Sequence, residues 1–261
     1  MINKIFSLNY ILQALIATLF TYLITALGAS IVLFIKKINK NFLDSMLGMA
    51  AGIMIAASFF SLIMPAIKMS ESLKLIPFIV LSIGFLGGGL FLFLFDIAFN
   101  KCSKFKSKNK RIWMIMLSIT MHNIPEGMAV GVAFGSLYYN LDGATLISAW
   151  MLALGIGIQN FPEGSAISLP LRREGYSRKK SFFLGQISGI VEPISGVIGA
   201  LLVLKLRFLL PFLVSFAAGA MIYVVVEELI PESQTNEKKE VMALFTLIGF
   251  SIMMILDLAL S

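Results

Sequence analysis

An all-α membrane protein of eight transmembrane helices in a bundle is the fold class this sequence predicts, and three observations predict it. Of 261 residues, 58% are AVILMFWYC and 13% are charged, against roughly 45–50% apolar and about 25% charged in a soluble domain. The apolar residues come in runs of about twenty, the length that a hydrocarbon layer ~30 Å thick demands of a spanning helix. Lys and Arg fall almost wholly in short links between those runs, where they orient a chain in its membrane. A water-soluble globule is excluded. For the same reason the net charge of +7 is a membrane signal rather than a nucleic-acid one.

From link to link the segments are 9–35, 44–67, 75–99, 112–135, 144–170, 181–204, 208–230 and 241–260, within one transmembrane domain, 1–261. The first lacks a strongly basic start and leads straight into further spans, so it reads as a retained helix rather than a cleaved signal peptide. The third ends in a Lys-rich link that holds the single cysteine, Cys102, which excludes an internal disulfide and any cysteine-based metal cluster. An even number of spans leaves both termini on one side. Links one, three, five and seven hold 16 of the 21 Lys and Arg, so the positive-inside bias puts these links in the cytoplasm and both termini outside. Frequent Lys, Asn and Ile with short loops suit a bacterial inner (plasma) membrane.

No Lys or Arg is left for a segment interior, yet the segments contain Asp96, Glu126, Glu163, Glu192, Glu227, Glu228 and Asp257. A charge at mid-membrane costs about 2.5–3.5 kcal/mol on insertion scales. Carboxylates without basic partners must therefore be protonated, hydrated at a cavity, or bound to a cation. Asp96 and Asp257 lie toward segment ends and read as solvated helix ends.

Segments four and five each carry one hexapeptide pattern, His122-Asn123-Ile124-Pro125-Glu126-Gly127 and Gln159-Asn160-Phe161-Pro162-Glu163-Gly164. The first residue and the Glu are four apart, about 40° around a helix, and the Asn lies about 60° to the other side. Each helix thus presents two donors flanking one carboxylate. Pro125 and Pro162 free the carbonyls of Met121 and Ile158, which a bilayer tolerates where they line a cavity or hold an ion. His122 is the only histidine, and imidazole with a carboxylate one turn away is a zinc-like donor pair. Gly127, Gly131, Gly135, Gly155, Gly157 and Gly164 would let helices approach closely. Segment six adds Glu192-Pro193 among small residues, a further locally opened helix. Glu126, Glu163 and Glu192 carry a formal charge of −3, which two divalent ions sharing bridging carboxylates would balance.

These motifs resemble the ZIP (Zrt-, Irt-like protein) family of divalent metal transporters, in its prokaryotic GufA-like branch, along essentially the whole chain. The resemblance implies a binuclear centre: one ion on Met54, His122, Glu126, Gln159 and Glu163, the second on Asn123, Glu126, Asn160, Glu163 and Glu192, with Glu126 and Glu163 bridging. Met54, by itself, reads as core. Ala57, Leu152 and Ile156 match an outer hydrophobic gate, Ser61 a position nearer the outer mouth, and Glu227 and Glu228 the cytoplasmic exit path. Two departures stand out. Gln159 replaces a common His, giving a harder, weaker first site and arguing against strict zinc selectivity. The third link is Lys-rich rather than His-rich, suited to anionic headgroups and not to metal sensing.

The resemblance implies import of divalent transition metal ions, Zn²⁺ first and Fe²⁺, Mn²⁺ or Cd²⁺ besides, carried as cargo with no cofactor and no enzymatic step. The expected partners are the metal ions, the lipid bilayer and, through segments two, three, seven or eight, a second copy as a homodimer; nucleic acid is not among them. The rival class is an intramembrane protease. Asp96 and Asp257 lack the motif contexts of an aspartyl enzyme, and HExxH is absent.

Overall fold

The computed structural model describes residues 9–34, 39–102, 110–139, 144–173, 175–205 and 207–260. Lys4, Lys36, Lys37, Lys104, Lys106 and Lys108, which entered the charge count above, lie outside that set. Eight helical rods follow one another: α1 (Tyr10–Phe34), α2 (Lys40–Ser72), α3 (Pro77–Cys102), α4 (Lys110–Ser136), α5 (Leu146–Arg173), α6 (178–205), α7 (Leu210–Ser233) and α8 (Lys239–Leu260). They match the eight expected segments, and the chain is an all-α polytopic membrane protein. Among the described residues, six rods are long and apolar enough to cross a membrane. The two outside that group are α4 and α5, where the hexapeptides substitute Asn, Gln, Glu and Pro for apolar side chains.

Local chemistry sets the ends. α2 starts at Lys40, ahead of the expected 44, because the Asn39 side chain accepts from the Phe42 N–H and caps the first turn. Ser177 does the same for α6 through the Lys180 N–H at 3.3 Å. The link before it turns through Gly175, whose φ of +94° suits a residue without a Cβ. α2 also continues past Pro65, and α7 past Pro231. In both, the turn just upstream widens to a π turn, Ser58–Ile63 and Val225–Leu229, which absorbs the ring and the missing N–H.

The rods pair through glycine seams. Gly28 lies on the Phe161 carbonyl and Gly164 on that of Thr25, joining α1 to α5. Gly131 against Gly196 joins α4 to α6, Gly88 and Gly219 join α3 to α7, and Gly52 and Gly249 join α2 to α8. At each of these positions but Gly196, where it would meet the Thr18 side chain of α1, a Cβ would strike the facing backbone, so only glycine permits the approach. Gly155 and Gly157 play the same part against the Met253 and Phe20 side chains.

The pairs assemble into two groups of four. α1, α4, α5 and α6 pack on one another; in the second group α7 and α8 each pack on α2, and α3 is held mainly by α7. Between the groups, α5 meets α2 and α8, and α7 meets α4.

Candidate metal centre

The hexapeptides occupy the middle of α4 and α5, with α1 and α6 closing the flank, which buries their described polar side chains. Asn123, Glu126, Gln159, Asn160, Glu163 and Glu192 are each at most 3% exposed. The helices run unbroken through Pro125 and Pro162. Of the three expected openings, the one with altered helical geometry is in α6, where a 3₁₀ turn at Ser188–Ile190 precedes Glu192.

The two Asn residues act alike. Asn123 Nδ2 donates to the Ser188 carbonyl at 3.0 Å, within that 3₁₀ turn, and Asn160 Nδ2 donates to both carboxylate oxygens of Glu192 at 2.9 and 3.0 Å. Each motif therefore ties its own helix to α6. Gln159 Nε2 donates to Glu126 Oε1 at 2.6 Å and joins the motifs to each other. These bonds use up amide hydrogens and leave oxygens: Asn123 Oδ1, Glu126 Oε2, Gln159 Oε1 and Asn160 Oδ1 are buried with no hydrogen-bond partner among the described residues. A buried acceptor left bare costs about 1–3 kcal/mol, more when charged. Glu163 and Glu192 also stand within electrostatic range of Glu126. Such a set suits a hard or borderline cation, which takes several oxygens at once.

His122 lies on α4, and its side chain is outside the described residues. Among the described residues no three His, Cys, Asp or Glu side chains converge closely enough to hold an ion. Glu192 is the reason on the α6 side, since its carboxylate also accepts from Thr21 Oγ1 and, at 3.4 Å, from Thr25 Oγ1 of α1. Sequence reasoning missed these two threonines. The signal was present as Gln13, Thr18, Thr21 and Thr25, a polar stripe at helical spacing in an apolar segment, all fully buried.

Met54, Ala57, Leu152 and Ile156 are all within 1% of complete burial and belong to one apolar cluster. Beyond them, at the end that carries the α4–α5 link, lies a cavity lined by Ser61, Ser136, Thr145 and Ser148 with Leu62, Pro65 and Val214. Along α5 one face thus presents Ser148, Leu152, Ile156, Gln159 and Glu163 in turn: a cavity-lining serine, two buried apolar side chains, then an amide and a carboxylate. From Leu152 to Gln159 is about 10 Å at 1.5 Å per residue. Toward the opposite end, Glu227 is exposed and Glu228 half-buried, both on the π turn of α7.

Two acids depart from expectation. Asp257 is 5% exposed, not a solvated helix end, because α8 turns it onto the π turn of α2, where Ser61 Oγ donates to it at 2.5 Å. Asp96 is half-buried and accepts from the Tyr223 hydroxyl at 3.0 Å. Their partners are different residues on different helices, which is not the arrangement of an aspartyl dyad.

A polytopic helical bundle that buries such a cluster of bare oxygens among its described residues fits a membrane protein of the ion-handling class. The family model described as ZIP Zinc transporter matches residues 101–257. The chain is 35% identical to Zinc transporter ZIP11 of Homo sapiens over 96% of its own length and 98% of that protein's. It is 35% identical to Zinc transporter ZIPB of Bordetella bronchiseptica, covering 90% of this chain and 77% of the relative. With Zinc transporter GufA of Myxococcus xanthus the identity is 32% over 94% and 98%. The chain belongs to the ZIP zinc transporter family. Its relatives carry transporter rather than enzyme names, and in a transporter family the metal is cargo, not cofactor.

Proposed function

We propose that this chain imports divalent transition metal ions into the cytoplasm, Zn²⁺ first and Fe²⁺, Mn²⁺ or Cd²⁺ besides, through a two-ion centre on α4, α5 and α6. The observation that carries the reading is the set of four buried acceptor oxygens on Asn123, Glu126, Gln159 and Asn160 without a hydrogen-bond partner among the described residues. The zinc-transporter names of the relatives support it.

In this reading residues 1–261 act as one transporter domain in a bacterial inner membrane, with both termini outside. A hydrated ion enters the cavity at Ser61, passes the Ala57, Leu152 and Ile156 plug when it opens, and exchanges water for protein ligands. Met54, His122, Glu126, Gln159 and Glu163 hold the first ion; Asn123, Glu126, Asn160, Glu163 and Glu192 hold the second. Glu227 and Glu228 receive the ion on its way out. The driving exchange is simple: ligand oxygens replace hydration, and the carboxylates lose a charge imbalance that lipid cannot screen.

The division of helices supports a moving unit. α1, α4, α5 and α6 pack mainly among themselves, so they can carry the centre past α2, α3, α7 and α8 with the contacts of α5 to α2 and α8 and of α4 to α7 remade. A homodimer would form through the second group.

Radiotracer ⁶⁵Zn²⁺ uptake into proteoliposomes tests the proposal with wild type, Glu126→Ala and Glu163→Ala. Uptake abolished in both variants is expected. Uptake unchanged by both would end it.

A further inference from the structure

Glu192 has both carboxylate oxygens engaged by side-chain donors. Its Oε1 accepts from Asn160 Nδ2 at 2.9 Å and Thr25 Oγ1 at 3.4 Å; its Oε2 accepts from Asn160 Nδ2 at 3.0 Å and from Thr21 Oγ1. A carboxylate offers about four lone-pair positions, and four contacts occupy them. An incoming ion must displace at least one donor.

Each of those donors has somewhere else to go. Thr21 Oγ1 lies 2.9 Å from the Thr18 carbonyl, and Thr25 Oγ1 lies 3.3 Å from the Thr21 carbonyl. Asn160 Nδ2 is 3.4 Å from the Thr21 carbonyl. A hydroxyl has a single hydrogen, so each threonine chooses between Glu192 and the backbone of its own helix. Rotation about χ1 or the C–O bond moves the hydrogen without moving α1. Releasing Glu192 therefore strands no buried donor, which is the usual penalty for breaking an interior hydrogen bond.

We infer that Thr21 and Thr25 of α1 form a latch that holds Glu192 back while the second ion position is empty and hands it over when an ion arrives, setting the affinity of that position from a helix outside the ligand set. The inference rests on the proposed ion centre of α4, α5 and α6. Thr21 and Thr25 are positioning residues: they touch Glu192, not the ion. The latch weakens binding of the second ion by competition and so favours its release.

The experiment is calorimetric titration of the purified full chain in detergent with Zn²⁺, following the binding step that Glu192→Ala removes. Thr21→Val and Thr25→Val, close in shape but without the hydroxyl, are expected to tighten that step about tenfold each, the worth of a hydrogen bond to a charged group. Thr21→Ser keeps the hydroxyl and is expected to bind as wild type. A Cβ added at Gly189 would lie 3.2 Å from the Thr25 side chain, so the seam is tight. Thr21→Ala, which adds no bulk, provides the same comparison should valine disturb folding. An unchanged or weakened step in Thr21→Val and Thr21→Ala overturns the latch, as does a Thr21→Ser variant that behaves like valine. Retention of all Zn²⁺ binding in Glu126→Ala would instead overturn the ion centre. Loss there with threonine variants unchanged removes only the latch.

Discussion

Gln159 of α5 donates to Glu126 of α4 across 2.6 Å, so the first residue of one hexapeptide neutralises part of the demand made by the carboxylate of the other. The bond leaves Gln159 Oε1 and Glu126 Oε2 both unused by hydrogen bonds among the described residues. A bidentate demand on one side and an amide on the other make a site of oxygen character. Replacing that amide with imidazole changes the metal preference. Gln159→His is expected to raise affinity for Zn²⁺ over Mn²⁺ by about tenfold, or ~1.4 kcal/mol, measured by competition titration on purified protein.

Ion binding stabilises the folded bundle in proportion to occupancy. At a hundred times its Kd, an ion that binds only the folded state adds about 2.7 kcal/mol. Wild type should show a clear rise in detergent melting temperature with Zn²⁺, and Glu126→Ala should show none. An equal rise in both would place the bound ion elsewhere.

The apolar plug predicts a sharp limit to access along α5. Ser148 lines the cavity, while Leu152, one turn deeper, is fully buried. In a Cys102→Ser background, Ser148→Cys should react with a membrane-impermeant maleimide applied to the outer face, and Leu152→Cys should not. Labelling of Leu152→Cys as fast as Ser148→Cys would mean that the plug stands open.

Neighbouring glycines of α3 should respond differently to the same substitution. A Cβ on Gly88 would strike the Phe216 carbonyl and lie 2.9 Å from the Ala220 nitrogen, whereas one on Gly87 meets only the Phe216 ring edge at 3.7 Å. Gly88→Ala is expected to destabilise the α3–α7 seam by about 1–3 kcal/mol, and Gly87→Ala to leave thermal unfolding in detergent unchanged. Similar melting for the two would show that the seam yields.

Much of this was legible in one dimension. Eight rods follow from apolar runs between basic links, because the bilayer enforces helix length and burial of every backbone group. That the motif carboxylates and amides lie together was legible too, since carboxylates without cationic partners in a hydrophobic segment demand an explanation, and the repeated Asn-x-Pro-Glu pattern marked which ones to compare. Pairwise contact was not legible. That Glu192 turns to Thr21 and Thr25, that Ser61 holds Asp257, and that α6 rather than α4 or α5 takes the 3₁₀ turn depends on which helix faces which. Periodicity reports the face of a helix that is polar, but a threonine at helical spacing in α1 looks the same whether it meets lipid, its own carbonyl or a glutamate 171 positions away. The glycine seams made the difference, by bringing backbones close enough that a short hydroxyl on one helix reaches a carboxylate on another.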